Sequence, residues 1–308
     1  MSATVFIDGA AGTTGLEIRE RLAGRSDIIV ITLDDARRKD ADARREALND
    51  ADFVILCLPD DAAREAVALI DNTRTRVIDA SSAHRVAESW TYGFAELEAD
   101  QAARIAAARF VANPGCYPTG FLALVRPLVR AGLIPADWPL SVNAVSGYSG
   151  GGKAMVAEFG QPGAPAFRGY AYGGGHKHLP EMQRLAGLTH APVFAPAVAN
   201  TYRGMIVEVP LHLRALPASP SCGDIETVLH NAYAGQPLVT IAQSDGATVA
   251  IEENAGSDRM TLRAFGDPAS GQVRLVATLD NLGKGAGGAA VQNLNIMARL
   301  DATAGLIF

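Results

Sequence analysis

Over the first 115 residues, short apolar runs alternate with amphipathic stretches. Val5, Phe6 and Ile7 make the first run, and "GAAGTTG" follows it. Leu16, Ile18 and Leu22 then recur at helical spacing on roughly one face. "DIIVITL", Asp27 to Leu33, has the continuous apolar character of a strand buried on both faces. "ADFVILCLPDDAAREAVALI" repeats strand, turn and helix, and "RVIDASS" adds a strand ending at Ser81 and Ser82. This βαβ alternation predicts a doubly wound parallel sheet.

The period changes after Cys116. Residues 119–131 read as a helix, with Pro118 and Thr119 at its start. Strands of alternating pattern come next: "LSVNAVSG", "RGMIVEVPLHLR", "RMTLRAF" and "QVRLVATLDN". The last two flank "GDPASG", a turn-rich joint that predicts a hairpin. "GDIETVLHNAYAG" reads as a helix, and "GKGAGGAAVQNLNIMARLDATAGL" as a glycine-rich start running into another. The expected second part is an α+β domain with a mostly antiparallel sheet. There is no internal repeat, and "RALPASPSCG" is short enough to be a surface loop.

A length of 308 residues suits two domains. The net charge of −6 gives no electrostatic reason to expect nucleic acid or an anionic membrane as partner. No run of 18 apolar residues and no basic leader precedes the first strand, so neither membrane insertion nor secretion is expected. Three widely spaced cysteines argue against a disulfide framework and for a reducing, cytoplasmic setting. No CxxC or HExxH spacing occurs, and no metal is expected.

Gly9, Gly12 and Gly15 sit where a first strand turns into a first helix. Glycines there let backbone approach a pyrophosphate, and Thr13 and Thr14 open a helix whose free N–H groups favour an anion. The spacing is GxxGxxG rather than GxGxxG, and a ligand-free tight turn would look the same. At the end of the second strand, Asp34 and Asp35 suit a ribose hydroxyl, while Arg37, Arg38 and Lys39 suit a 2′-phosphate. The basic run favours NADP; a solvated charge run is the plain alternative.

Cys116 stands in "NPGCYPTG". A thiolate is the reactive form, and a helix N-terminus lowers a thiol's pKa. Cys57 lies inside "FVILCLP" and reads as a small buried hydrophobe, and Cys222 sits in a loop without an evident partner. Cys116 is therefore the candidate nucleophile. "GGGHKHLPEM" places His176 and His178 two residues apart, and histidine serves as acid or base near neutral pH. Which of the two would act stays open. His84, His190, His212 and His230 have less suggestive contexts. "SGYSGGGK", Ser146 to Lys153, offers hydroxyls, a backbone nest and a cation for an anionic substrate.

Taken in order, "GAAGTTG", "DASSAHR", "NPGCYPTG", "SGYSGGGK", "GHKHLPE" and "DNLGKGAGGAAVQN" resemble the N-acetyl-gamma-glutamyl-phosphate reductases, and more narrowly their shorter form, over nearly the whole chain. The resemblance implies a Rossmann domain at 1–116 plus 283–308 and an inserted α+β domain at 117–282, like the aspartate-semialdehyde and glyceraldehyde-3-phosphate dehydrogenases. It implies NADPH-dependent reduction of N-acetyl-L-glutamyl 5-phosphate to N-acetyl-L-glutamate 5-semialdehyde, a step of arginine biosynthesis. Cys116 would form a thioester, with His176 or His178 as acid/base. Gly9, Gly12, Thr13, Thr14, Gly15, Arg37, Arg38, Ser81, Gly283 and Gly285 would meet the cofactor. Arg85, Ser149, Lys153, Arg168 and Arg203 are the candidates for the phosphate and carboxylate of the substrate, each with a surface ion pair as its plain alternative. A homodimer or homotetramer is implied. Rival readings are a reductase of aspartyl or acetyl-aminoadipyl phosphate, a non-catalytic NADP-binding redox sensor, and a cysteine hydrolase without cofactor.

Overall fold

The computed structural model describes residues 2–34, 37, 40–244, 246 and 248–308. The chain divides into two compact units. The first comprises residues 1–95, 100–115 and 286–306, and the second comprises 96–99, 116–285 and 307–308.

The first unit runs β1 (Ala3–Asp8), α1 (Thr13–Leu22), β2 (Ile28–Ile31), α2 (Ala41–Asp50), β3 (Phe53–Leu56), α3 (Asp60–Ala68), β4 (Arg76–Asp79), β5 (Thr91–Tyr92), α4 (Gln101–Ala107) and β6 (Phe110–Ala112). Its sheet has the order β2-β1-β3-β4-β6-β5, parallel at every pairing. Alternation along the strands builds two apolar layers. Val5, Ile7, Ile55, Ile78 and Val111 pack with Ile18 and Leu22 of α1 and Ile105 of α4. Phe6, Val54, Leu56 and Val77 point to the opposite layer, with Leu48 of α2 and Ala63 and Ala66 of α3. Both faces are therefore covered, which is why the strands read as continuous apolar runs.

The second unit runs α5 (Cys116–Arg130), β7 (Ser141–Gly147), α6 (Gly152–Phe159), β8 (Phe167–Gly169), α7 (Leu179–Ala186), β9 (Val193–Ala199), β10 (Met205–His212), α8 (Cys222–Ala232), β11 (Val239–Ile241), β12 (Met260–Asp267) and β13 (Gln272–Leu279). Its sheet order is β11-β12-β13-β10-β7-β9-β8. The β11–β12 and β7–β9 pairs are parallel, and the other four neighbours are antiparallel. Along β10, Met205, Val207, Val209 and Leu211 are buried while Ile206, Glu208 and Pro210 are partly open, the pattern of a sheet with one face on a core. The hairpin falls where the turn-rich joint predicts it: Gly271 N–H donates to Asp267 C=O at 2.9 Å.

α5 is buried nearly end to end, with Phe121, Leu122, Leu124, Val125 and Leu128 inaccessible. It begins at Cys116, earlier than the expected start at Pro118. Proline fits there because the first-turn N–H groups have no intrahelical acceptor. The last helix, α9 (Gly288–Met297), returns to the first unit. There Asn293 donates to Gly93 C=O at 2.8 Å and to Asn113 Oδ1 at 3.0 Å. Arg76 gathers the C-terminal carbonyls of α4 and α9, taking Ala106 and Ala108 on one side and Met297 on the other.

Candidate active site and nucleotide cleft

In the first unit, a cleft of about 610 Å³ opens at the C-terminal ends of β1 and β2. Asp8, Gly9, Ala10, Ala11, Thr32 and Leu33 form its floor and Arg19 and Arg44 its cationic edge. Gly9 has φ +86°, and a β-carbon there would run into the Cys57 carbonyl oxygen. Only glycine allows that turn without strain. Gly12 N–H closes it onto Gly9 C=O at 2.9 Å. Gly12 caps α1 with no side-chain acceptor, so the amides around Thr13, Thr14 and Gly15 keep their donors for a ligand. An open cleft, a glycine cradle and an uncapped helix start fit a dinucleotide pyrophosphate.

Of the basic run after β2, Arg37 is exposed and pairs with Glu46 at 3.1 Å, and its N–H donates to Asp34 Oδ1 at 2.8 Å. Asp35, Arg38 and Lys39 lie outside the described residues. The cation that the run overshadowed is Arg44. It lines the cleft and bonds the buried Asp8 at 2.7 Å. Nothing in the spacing of "ADARREALND" separates Arg44 from its neighbour Arg45, which pairs with Asp71 instead.

At the end of β4, the inaccessible Asp79 organises the "DASSAHR" turn. It accepts from Ser81 N–H at 2.9 Å and Ser81 Oγ at 2.7 Å, and lies 2.6 Å from His84 Nδ1. His84 stacks on Trp90 with ring centres 4.1 Å apart. Arg85 donates to the carbonyls of Asn113 and Ala80 at 3.0 and 3.1 Å, which fixes its guanidinium against backbone.

In the second unit, Cys116 is the first residue of α5 and half-buried. A helix N-terminus favours the thiolate. Cys57, by contrast, is pushed up to about 12, first by burial and then by the charges of Asp79 and Asp8. Beside Cys116, Tyr117 directs its ring edge-on to both candidate histidines, 6.1 Å from His176 and 5.9 Å from His178. The two imidazoles lie 4.7 Å apart. Tyr117 donates to Ala197 C=O at 2.8 Å, and Tyr170 Oη sits 3.4 Å from both Tyr117 Oη and His176 Nε2. Burial raises the Tyr170 phenol, and the Cys116 charge raises it further. Burial, then the Lys177 charge, lowers His176 to about 4. Neither tyrosine stands out in the sequence, because Tyr170 lies 53 residues from Tyr117.

The anion-binding candidates separate. Ser149 is buried and accepts from Asn281 Nδ2 at 2.9 Å. Arg203 is half-buried, 3.5 Å from the inaccessible Asp280. Lys153 is exposed on α6, and Arg168 binds Glu158 and lies over the Phe159 ring. Gly283 and Gly285 belong to the second unit, where Gly285 closes directly on Cys116. Among the described residues, no group of three or more His, Cys, Asp or Glu could hold a metal ion, and no helix is long and apolar enough to cross a membrane.

Residues 4–105 match the family model described as semialdehyde dehydrogenase, NAD binding domain, and residues 116–281 match semialdehyde dehydrogenase, dimerisation domain. The curated N-acetyl-gamma-glutamyl-phosphate reductases of Brucella anthropi and Brucella ovis are each 53% identical over 307 residues, covering 96% of this chain and 99% of theirs. The chain belongs to the N-acetyl-gamma-glutamyl-phosphate reductase family. As in other members of the semialdehyde dehydrogenase superfamily, its N-terminal unit is a nicotinamide-cofactor domain. The fold extends to distant proteins. Aspartate semialdehyde dehydrogenase II of Vibrio cholerae, complexed with ASA, superposes with a TM-score of 0.73 at 15% identity, covering 97% of this chain and 99% of that one. Aspartate semialdehyde dehydrogenase of Candida albicans, solved with NADP, gives 0.64 at 13%, covering 97% and 99%.

Proposed function

We propose that this chain reduces N-acetyl-L-glutamyl 5-phosphate to N-acetyl-L-glutamate 5-semialdehyde and phosphate, with NADPH as reductant and Cys116 as nucleophile. The observation that carries the chemistry is the placement of Cys116 at the head of α5, next to Tyr117, whose ring meets both His176 and His178.

The Cys116 sulfur attacks the acyl-phosphate carbonyl; a C–S bond forms, the C–O bond to phosphate breaks, and phosphate leaves a thioester. A nicotinamide cofactor, when bound, would supply the hydride that reduces that carbon. The resulting thiohemiacetal oxygen is steadied by an imidazole N–H, and cleavage of the C–S bond releases the aldehyde and regenerates the thiolate. Covalent catalysis replaces one difficult displacement by two easier ones. His176 suits the donor role: its Nδ1 accepts from the His178 backbone, which leaves the proton on Nε2. Arg203 and Ser149 suit the substrate's anionic groups because Asp280 and Asn281 hold them from behind. Arg85, its guanidinium fixed by two carbonyls, is a third candidate.

NADP rather than NAD is favoured by the cationic edge of Arg19 and Arg44 on the cleft. A homodimer or homotetramer working in the cytoplasm completes the reading. The test runs the reaction backwards. N-acetylglutamate semialdehyde, phosphate and NADP⁺ should give NADPH absorbance. Aspartate semialdehyde should give at most a trace, and equal rates would overturn the substrate assignment.

A further inference from the structure

Lys284 and Glu96 are charged side chains that the proposed chemistry does not use. Both are shut off from water, with side-chain exposures of 1% and 0%. Lys284 Nζ donates to the two Glu96 carboxylate oxygens at 2.8 and 2.7 Å. Burying two such ions carries a large desolvation cost, and an apolar pair often serves stability as well. Their location suggests another reason for keeping them.

Lys284 lies in a single wide turn, Gly283–Gly287, of the π-helical type. Such turns concentrate at functional sites. The next residue, Gly285, closes on the nucleophile: a β-carbon on Gly285 would stand 2.9 Å from Cys116 Cβ. The start of the turn is tied by Asp280, which accepts from Leu282 N–H at 2.7 Å and Gly283 N–H at 3.2 Å. Gly285 N–H donates to Asp280 C=O at 2.9 Å. The Lys284 side chain adds an anchor in another direction. Its partner sits in a four-residue segment, 96–99, that belongs to the second unit. Two residues on, Glu98 accepts from Arg126 at 2.6 Å and from Arg130 at 2.5 Å, both on α5. One short segment thus grips both the turn behind Cys116 and the far half of the helix that Cys116 begins.

We propose that Lys284 is a positioning residue for the nucleophile: its ion pair with Glu96 presses the Gly283–Gly287 turn against Cys116 and fixes the direction of the sulfur. The inference rests on Cys116 being the nucleophile. A displacement near 1 Å can cost on the order of 100-fold in rate.

The experiment compares wild type, Lys284→Met and Glu96→Gln in the full chain. Cys116 alkylation by iodoacetamide is followed from pH 5 to 9 by peptide mass mapping, beside kcat, KM and the thermal unfolding midpoint. Each folded variant should lose about 10- to 100-fold in kcat, with KM within about twofold. Each should also shift the pH profile of Cys116 alkylation. The double variant should be no worse than the worse single, since both act through one contact. A folded variant that loses only thermal stability, with wild-type alkylation and kcat, overturns the proposal. Failure of both variants to fold overturns it too, because the pair is then needed for folding itself. Alkylation requires no substrate, so the two readings fail separately. An inactive wild type whose variants still shift alkylation defeats the reductase assignment alone, and an active wild type with unshifted variants defeats the positioning role alone.

Discussion

The backbone N–H of His178 donates to Nδ1 of His176 at 3.1 Å. That contact selects one tautomer, because a nitrogen that accepts carries no proton. Nε2–H is then the donor, facing Tyr170. Burial and Lys177 lower the imidazole to about 4, so it stays neutral through the physiological range. In the unfolded chain a histidine titrates near 6.5. Between those values the unfolded state binds the extra proton. Stability should therefore fall as the pH drops from about 6.5 toward 4 and be insensitive to this group above 6.5. The ring C–H resonance lost in His176→Asn should titrate near 4, and the decline in denaturation midpoint over that window should be shallower in the variant. A resonance midpoint near 6.5 would contradict the geometry.

Cys116→Ser should abolish turnover, by about 10³-fold or more, because the thioester cannot form. The fold and cofactor affinity should persist, since the cleft is lined by residues of the other unit. Stopped assays and NADPH fluorescence titration measure the two separately. A redox-sensing binder with no turnover would show no catalytic difference between the two proteins.

Gly9→Ala should cost about 2 kcal/mol or more, from a left-handed φ of +86° and the collision with Cys57 C=O. Because Gly9 also lines the cleft, NADPH binding should weaken as well. Urea unfolding followed by circular dichroism gives the first quantity, and fluorescence titration the second.

Arg37→Ala and Arg44→Ala separate the two cationic candidates for a 2′-phosphate. A charge-assisted contact to phosphate is worth about 1.5–3 kcal/mol, equivalent to roughly 10- to 100-fold. The residue that binds it should raise KM for NADPH by that factor and leave KM for NADH nearly unchanged. Arg44→Ala also removes a partner of the buried Asp8, so its unfolding midpoint should drop, whereas the pair of Arg37 with Glu46 is exposed.

How much of this was readable beforehand depends on sequence distance. The glycine turn, the cysteine before its helix and the His-Lys-His segment are each local. Elementary rules about φ and helix ends anticipate the left-handed Gly9 turn and a helix beginning close to Cys116. The contacts that orient these groups are not local. Tyr170 reaches Tyr117 across 53 residues, and Lys284 reaches Glu96 across 188. No periodicity encodes such meetings. Arg168 resembled an anion clamp by residue type alone. Its ion pair with Glu158, ten residues away, is likewise a meeting that residue type does not reveal. That Gly285 also makes room for the β-carbon of Cys116 leaves no trace in its local spacing.

The three thiols do not share an environment. Cys57 is partly buried behind the glycine turn with its ionisation pushed up to about 12, and Cys222 is also raised, first by burial. A mild thiol reagent at neutral pH therefore meets one competent sulfur per chain. Inactivation should follow a stoichiometry of one, so a labelled electrophile would count working sites in any preparation, including one whose protein concentration is uncertain.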